Sequence, residues 1–305
     1  MSEPRSVVIT GASRGLGFAS ATYLYERGWR VVAAMRTPEP AMERLRIATR
    51  AREDDPRLTG VSLDLTDYAS VSAAAKVIEE AVGAPYALVH NAGVSAAGIA
   101  EETPISLWER MFQTMIFGPV VLTNALLPAM RGAGRGRIVM VSSAGGVRGM
   151  PATAPYSAAK GASERWAESL AGEIAPFGLG VTVLVAGTYD TDIITDAGTT
   201  DCRDFDGPYA RHHATMDRRG RLAMKYAARS PQRFAAGLAK ALEGTAPFVR
   251  RSVGPDARML LTINRVLPAA GLHQMTRLMM GLPRFGALRG ADSRRTTTRD
   301  SERDD

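Results

Sequence analysis

Val7-Val8-Ile9-Thr10-Gly11-Ala12-Ser13-Arg14-Gly15-Leu16-Gly17 runs from an apolar segment through a glycine turn into helix formers that continue to about Arg27. Gly28-Trp29 breaks that helix, and Arg30-Val31-Val32-Ala33-Ala34 resumes as a strand. Strand, glycine turn, helix and strand make a βαβ unit. In that setting glycines let the backbone approach a pyrophosphate while the helix amino terminus supplies N–H donors. A glycine triplet alone would specify only a turn, so the nucleotide reading comes from the elements that flank it.

Outward from this unit the alternation continues. Residues 5–10, 30–35, 58–63, 86–90, 136–142 and 180–186 read as strands, with a last one near 247–253 and helices between them. No Pro/Gly/Ser linker interrupts the stretch from Val7 to about Val185. The pattern predicts one α/β domain over 1–289, a doubly wound, mostly parallel sheet of about seven strands with a helical lid region toward the carboxyl terminus. Within it, 188–230 is long enough to form a substrate lid and 255–285 is a helical extension. The tail 290–305 is polar, balanced in charge and without apolar period, and is expected to be disordered.

Composition narrows the function. Hydrophobic residues make up 45% of the 305, enough for a large core. The single cysteine, Cys202, excludes an internal disulfide, and Met1 to Arg5 run straight into the first strand without a signal segment, so a cytoplasmic location is expected. The net charge of +7 raises the question of nucleic acid, but the basic residues are scattered and no aromatic-interleaved basic stretch occurs. Nucleic acid is therefore not an expected partner, and cofactor phosphates account for part of the charge.

The chemistry centres on Tyr156-Ser157-Ala158-Ala159-Lys160, with Ser143 thirteen residues before the tyrosine. On a helix, Tyr156 and Lys160 share a face about 6 Å apart along the axis. A free phenol, with a pKa of about 10, exchanges protons poorly near neutrality; a neighbouring ammonium and a positively charged nicotinamide would lower it. Such a phenol can protonate a carbonyl oxygen or remove a hydroxyl proton. Only Lys76, Lys160, Lys225 and Lys240 are lysines in this arginine-rich chain, so one opposite Tyr156 is informative.

Together these motifs resemble the short-chain dehydrogenase/reductase family, over residues 5 to about 192 and more loosely 231–255. The glycine spacing T-G-x-x-x-G-x-G fits, as do Asp64-Leu65 after the third strand, Asn91-Ala92-Gly93 after the fourth and Ser142-Ser143 after the fifth. The resemblance implies that Thr10, Gly11, Ser13, Arg14, Gly15, Leu16 and Gly17 hold the nucleotide. It places Asp64 and Leu65 at the adenine, and Asn91, Ala92 and Gly93 beside the cofactor. It implies that Ser143, rather than Ser142, orients the reacting oxygen, that Tyr156 transfers the proton and that Lys160 holds the ribose. Thr188 and Thr191, after Gly187, would meet the nicotinamide carboxamide and the phosphates.

An NAD-selective member would carry an acid at the end of the second strand. Here Met35 and Arg36 stand there, and Arg14 lies in the glycine turn, so two guanidinium groups can reach a 2′-phosphate and NADPH is the expected cofactor over NADH. Two positions depart from the family. Met115 stands where the family has an asparagine associated with a proton-carrying water chain, and a thioether offers no donor. Thr114 or Gln113 could support the water instead. Ala186 replaces a proline before Gly187.

In the lid, Asp192, Ile193, Ile194, Phe205, Tyr209, Met216 and Met224 suit packing or substrate contact. His212-His213 lack a third clustered ligand, so no metal is expected. Beyond Pro255 an apolar, methionine-rich set recurs at helical spacing without an uninterrupted run of about 18 residues. Its uses rank as lid support, oligomer contact and, last, weak contact with a membrane surface. The expected activity is NADPH-dependent hydride exchange with a carbonyl or secondary alcohol of a hydrophobic small molecule, in a homo-oligomer. Met115 keeps open a nucleotide-binding sensor with weak or lost turnover.

Overall fold

The computed structural model describes residues 5–191 and 199–287; Asp192, Ile193, Ile194 and the tail 290–305 lie outside them. The first half runs β1 (Ser6–Thr10), α1 (Gly15–Tyr25), β2 (Arg30–Met35), α2 (Pro38–Thr49), β3 (Leu58–Ser62), α3 (Tyr68–Val82) and β4 (Ala87–His90). A short strand β5 (Ser95–Ala97) leads to α4 (Ile105–Phe112), a π-helical turn over Gln113–Phe117, and α5 (Gly118–Ala133). Then come β6 (Gly136–Ser143), the single turn α6 (Ala144–Val147), α7 (Ala154–Ile174), β7 (Leu179–Ala186) and a short β8 (Thr199–Asp201). The chain closes with α8 (Ala210–Ala227), α9 (Pro231–Leu242), β9 (Phe248–Val253), α10 (Pro255–Val266) and α11 (Ala269–Met280).

The main sheet has the order β3-β2-β1-β4-β6-β7-β9, and every pairing in it is parallel. All seven strands coincide with the apolar runs read from sequence to within about one residue. The pair β5 and β8 forms a second, two-stranded sheet that the pattern did not announce, since three residues are too few to show a period.

Parallel strands are buried on both faces, which is why β1 and β7 are largely apolar and buried throughout. Alternate side chains feed two cores. Val8, Leu88 and Ile138 pack with Ile78 of α3, Leu122 of α5 and Leu170 of α7, whereas Val7, Ile9 and Val139 pack with Leu24 of α1 and Phe234 of α9. The segment Ile105–Ala133 is apolar and long enough to cross a bilayer, but α3 and α7 pack against it and Met111, Leu122, Leu126 and Met130 are fully buried. It is a core helix pair joined by the π turn.

The strand order reverses between β1 and β4, and at such a switch point the carboxyl ends of the strands leave a crevice. The glycine turn, Asp64-Leu65, Asn91-Ala92-Gly93, Ser142-Ser143 and Gly187-Thr188 end or follow strands on that side, and Tyr156 and Lys160 reach it from α7. Leu122→Ala, which opens a cavity between α5 and the sheet, is expected to lower stability by about 2–5 kcal/mol. A urea titration with an unchanged slope and a lower midpoint checks this.

Candidate active site

The crevice is a cavity of about 1270 Å³, larger than a single small-molecule site requires. One wall is the glycine turn. Gly11, Ser13, Arg14, Gly15 and Leu16 line it, and no side chain caps the first turn of α1, which also carries no acid. Gly17 does not line the cavity, contrary to expectation. It is buried, and a Cβ there would lie 2.3 Å from the Gly11 carbonyl and 2.6 Å from Asn91 Nδ2, so glycine is needed for the helix to meet the turn. Thr10 is likewise fully buried behind the wall: its hydroxyl accepts from the Asn91 and Ala92 amides at 3.1 Å each. Asn91 Nδ2 donates to Thr10 O at 2.9 Å, so this asparagine clamps β4 to the turn. An uncapped helix end, a bare backbone approach and this volume fit a dinucleotide.

Met35, Arg36, Asp64 and Leu65 close one end of the cavity, and Arg36 is exposed there. Burial opposes ionisation of Asp64, yet its pKa lies below the ordinary carboxylate value because the Thr66 amide and hydroxyl bond to it and Arg36 and Arg110 lie near. Asn91, Ala92 and Gly93 continue the wall, and Gly187, Thr188 and Thr191 face them. A Cβ on Gly15 would touch Thr191 Cγ2 at 3.4 Å, so the turn and the segment after β7 approach each other across the nucleotide position.

Ser143, Tyr156 and Lys160 meet on the remaining wall. Ser143 ends β6 and caps α6; Tyr156 and Lys160 lie one turn apart on α7. The Ser143 side chain faces the Tyr156 phenol. Burial pushes the phenol above the ordinary tyrosine value, and Ser143 pulls it partly back. Lys160 Nζ lies 5.8 Å from the Tyr156 ring centroid but donates to the Val141 carbonyl at 2.6 Å. Burial brings the ammonium down to about 8, against the opposing charge of Glu164. The expectation that the lysine makes the phenol more acidic is therefore not met by the protein's own groups: the cation is engaged by a backbone carbonyl, and desolvation dominates the phenol. A second cavity tyrosine, Tyr189, is pushed up to about 12 by burial and by Asp256, and it lacks a serine partner of this kind.

Met115 lies in the π turn, 4% exposed, in an apolar cluster with Ala96, Leu107, Met111 and Ala159 that also packs Tyr156. Gln113 is turned away, accepting from the Tyr68 hydroxyl at 3.0 Å, while Thr114 lines the cavity. The family position is thus filled by packing, and Thr114 is the neighbour placed to hold water.

Sequence reasoning missed Asp256. From the first turn of α10 its carboxylate accepts from the Thr188 amide at 2.6 Å and from Arg229 at 2.9 Å, fixing the Gly187-Thr188 turn. Gly254-Pro255-Asp256 announces a helix start, but the partner of the acid is set by tertiary structure. In the segment expected to form a lid, His213 is fully buried, pairs with Glu102 at 2.8 Å and has the tilted Phe205 ring beside it, so its role is packing. Tyr209 donates to Glu101 at 2.7 Å, and Met216 and Met224 line the cavity.

A sequence profile described as short chain dehydrogenase matches residues 5–201. The chain belongs to that family. It is 36% identical over 186 residues to an uncharacterized oxidoreductase, YusZ, of Bacillus subtilis (strain 168), a match covering 61% of this chain and 65% of that protein. A solved short-chain dehydrogenase from Streptomyces avermitilis is 31% identical with a TM-score of 0.77, over 93% of this chain and all (100%) of that one. A short chain dehydrogenase from Burkholderia cenocepacia J2315, solved in complex with NADP, shares the fold at 24% identity and a TM-score of 0.68, over 90% of this chain and 98% of that one.

For a member of this family the buried lysine carries a stability cost. Holding its pKa at about 8 rather than 10.5 costs roughly 3 kcal/mol in the charged state. That cost is complete below about pH 8, where folded and unfolded chains both bear the proton, and fades as pH rises toward 10.5. Lys160→Met is expected to melt above the wild type at pH 7, with the gap closing by pH 10; calorimetry at the two pH values tests the sign.

Proposed function

We propose that the chain is an NADPH-dependent oxidoreductase acting on a carbonyl or secondary alcohol of a hydrophobic small molecule. The observation that carries this reading is the convergence of Ser143, Tyr156 and Lys160 on one cavity wall opposite the glycine turn. A bound nicotinamide supplies or accepts the hydride. The chain's own groups do the rest. The Ser143 hydroxyl, beside Tyr156, orients the substrate oxygen, and Tyr156 gives that oxygen its proton during reduction or takes it during oxidation. Lys160 keeps donors for the ribose beyond the one used on Val141. Tyr156 would receive from an oxidised nicotinamide the charge that Lys160 alone does not give it.

Arg14 and Arg36 support NADPH over NADH, both being exposed on the wall where Met35 replaces an acid. The NADP of the Burkholderia neighbour agrees with it. Met150, Met216, Met224, Met279 and Met280 on the opposite side support a bulky hydrophobic substrate, because methionine adapts to varied shapes. The segment holding Met216 and Met224 serves as lid, with α11 behind it. Exposed Leu222, Tyr226 and Leu278, next in sequence to cavity-lining residues, suit an oligomer contact before a membrane surface. Sedimentation of the protein alone and with anionic vesicles separates these: a monomer that ignores vesicles removes both.

Tyr156→Phe is expected to lower kcat by about a hundredfold or more with NADPH affinity unchanged. Arg36→Ala is expected to weaken NADPH by about tenfold while NADH binding stays level. Fluorescence titrations and a panel of hydrophobic ketones test both. Normal turnover by Tyr156→Phe, or tighter NADH than NADPH binding in the wild type, overturns the corresponding role. Tight NADPH binding without turnover on any ketone points instead to the sensor that Met115 keeps in play.

A further inference from the structure

One helical turn beyond Lys160, α7 carries Glu164, 1% exposed and set among core elements. Its Oε1 accepts from the Ser142 hydroxyl at 2.5 Å, and its Oε2 accepts from the guanidinium of Arg250 on β9. Ser142 follows Val141, whose carbonyl holds Lys160 Nζ at 2.6 Å. The crowding is tight: a Cβ on Gly146 would lie 2.3 Å from Ser142 Oγ, 2.8 Å from Glu164 Oε1 and 3.2 Å from Lys160 Cβ. Thus α6, the end of β6 and two turns of α7 close around one carboxylate.

Burying a carboxylate is expensive, and an apolar replacement of a buried ion pair is often neutral or stabilising. Core packing alone does not call for Glu164 here. What the position does supply is a fixed negative charge beside the buried cation of the site, on the same helix face. We propose that Glu164, clamped by Arg250 and Ser142, is a positioning residue that keeps Lys160 protonated and its ammonium directed at the nucleotide. This rests on the reading of Lys160 as the ribose-binding cation.

The other groups around Lys160 do not supply that charge. Tyr156 faces it from α7 as a neutral phenol. His90 on β4 is brought down to about 3 by burial and by Lys160 itself, so it is uncharged, and its Nε2 pairs with Thr123 at 2.8 Å. Arg250 on β9 is positive and faces Glu164. Burial already brings Lys160 to about 8, and Glu164 is the group that resists this fall. Without its charge the amine becomes neutral within the physiological range and loses its attraction for the nucleotide.

The test is the pH dependence of NADPH binding between pH 6 and 9.5, followed by fluorescence, alongside the pH profile of kcat/KM. Wild-type affinity should weaken with a midpoint near 8, set by Lys160. In Glu164→Gln the midpoint should fall by about 1 pH unit or more. Glu164→Asp should recover part of the shift. Arg250→Met, which touches no cavity-lining group, should reproduce it, because a carboxylate left buried and unpaired neutralises itself. A purely structural role predicts lower melting temperatures in all three with the midpoint unmoved, and that result overturns the proposal. Should Glu164→Gln not fold, Arg250→Met reads the same midpoint, whose constancy is equally fatal. Wild-type protein that binds no nicotinamide nucleotide overturns the reading of Lys160 and this inference with it. Binding with unshifted midpoints overturns this inference alone.

Discussion

The hydrogen bond from Lys160 Nζ to the Val141 carbonyl ties the chemistry of the site to the sheet. Val141 lies on β6 one residue past its last pair with β4, opposite Leu184 of the buried strand β7, so the backbone that carries this carbonyl is fixed by the sheet. A lysine directed at a fixed carbonyl has little freedom. The same strand delivers Ser143 two residues later, and the chain must then turn through α6 before α7 can bring Tyr156 back over the serine. Three polar groups are therefore positioned by one strand end and one helix, without contributions from mobile loops.

That arrangement trades stability for function. The ammonium is buried, the phenol is desolvated, and neither has the pKa it would have in water. Desolvation raises a phenol and lowers an ammonium, so it draws the two groups away from the charge-separated state in which the lysine assists the tyrosine. The protein opposes this with a hydroxyl on one side and a carboxylate on the other. A positive nicotinamide would add the missing field only during part of the cycle, so the acidity of Tyr156 changes with the charge of what lies beside it.

Much of this was legible in the sequence because it is local. The seven strands show as apolar runs since parallel strands are buried on both faces, and the turn from Thr10 to Gly17 names itself by glycines at fixed spacing. The spacing of Tyr156, Lys160 and Ser143 likewise needs only one helix and one strand. What the sequence hid is tertiary. Thr10 and Gly17 carry the motif yet stand behind the wall, because one ties β4 to β1 and the other lets α1 approach the turn. Asp256 comes from a helix 68 residues beyond Thr188, and the pairing of β5 with β8 joins two three-residue strands from distant parts of the chain. No periodicity records such meetings.

Met115 shows how a departure from a motif should be weighed in structure. As a letter it removes an amide from a proton path. In space it sits on the π turn between α4 and α5, where one extra residue per turn shifts the side chains that follow, and its thioether fills an apolar cluster against Tyr156. An asparagine there would have to bury its amide among Leu107, Met111 and Ala159, so the cluster and the methionine belong together. The proton route must then leave by the side that is polar and open to the cavity, where Thr114 lines the wall. On the lysine side lie Glu164 and Arg250, an ion pair whose carboxylate is 1% exposed. On the proposed reading the carboxylate acts on the site through its charge, and the cavity face lined by Thr114 is the side left for proton exchange.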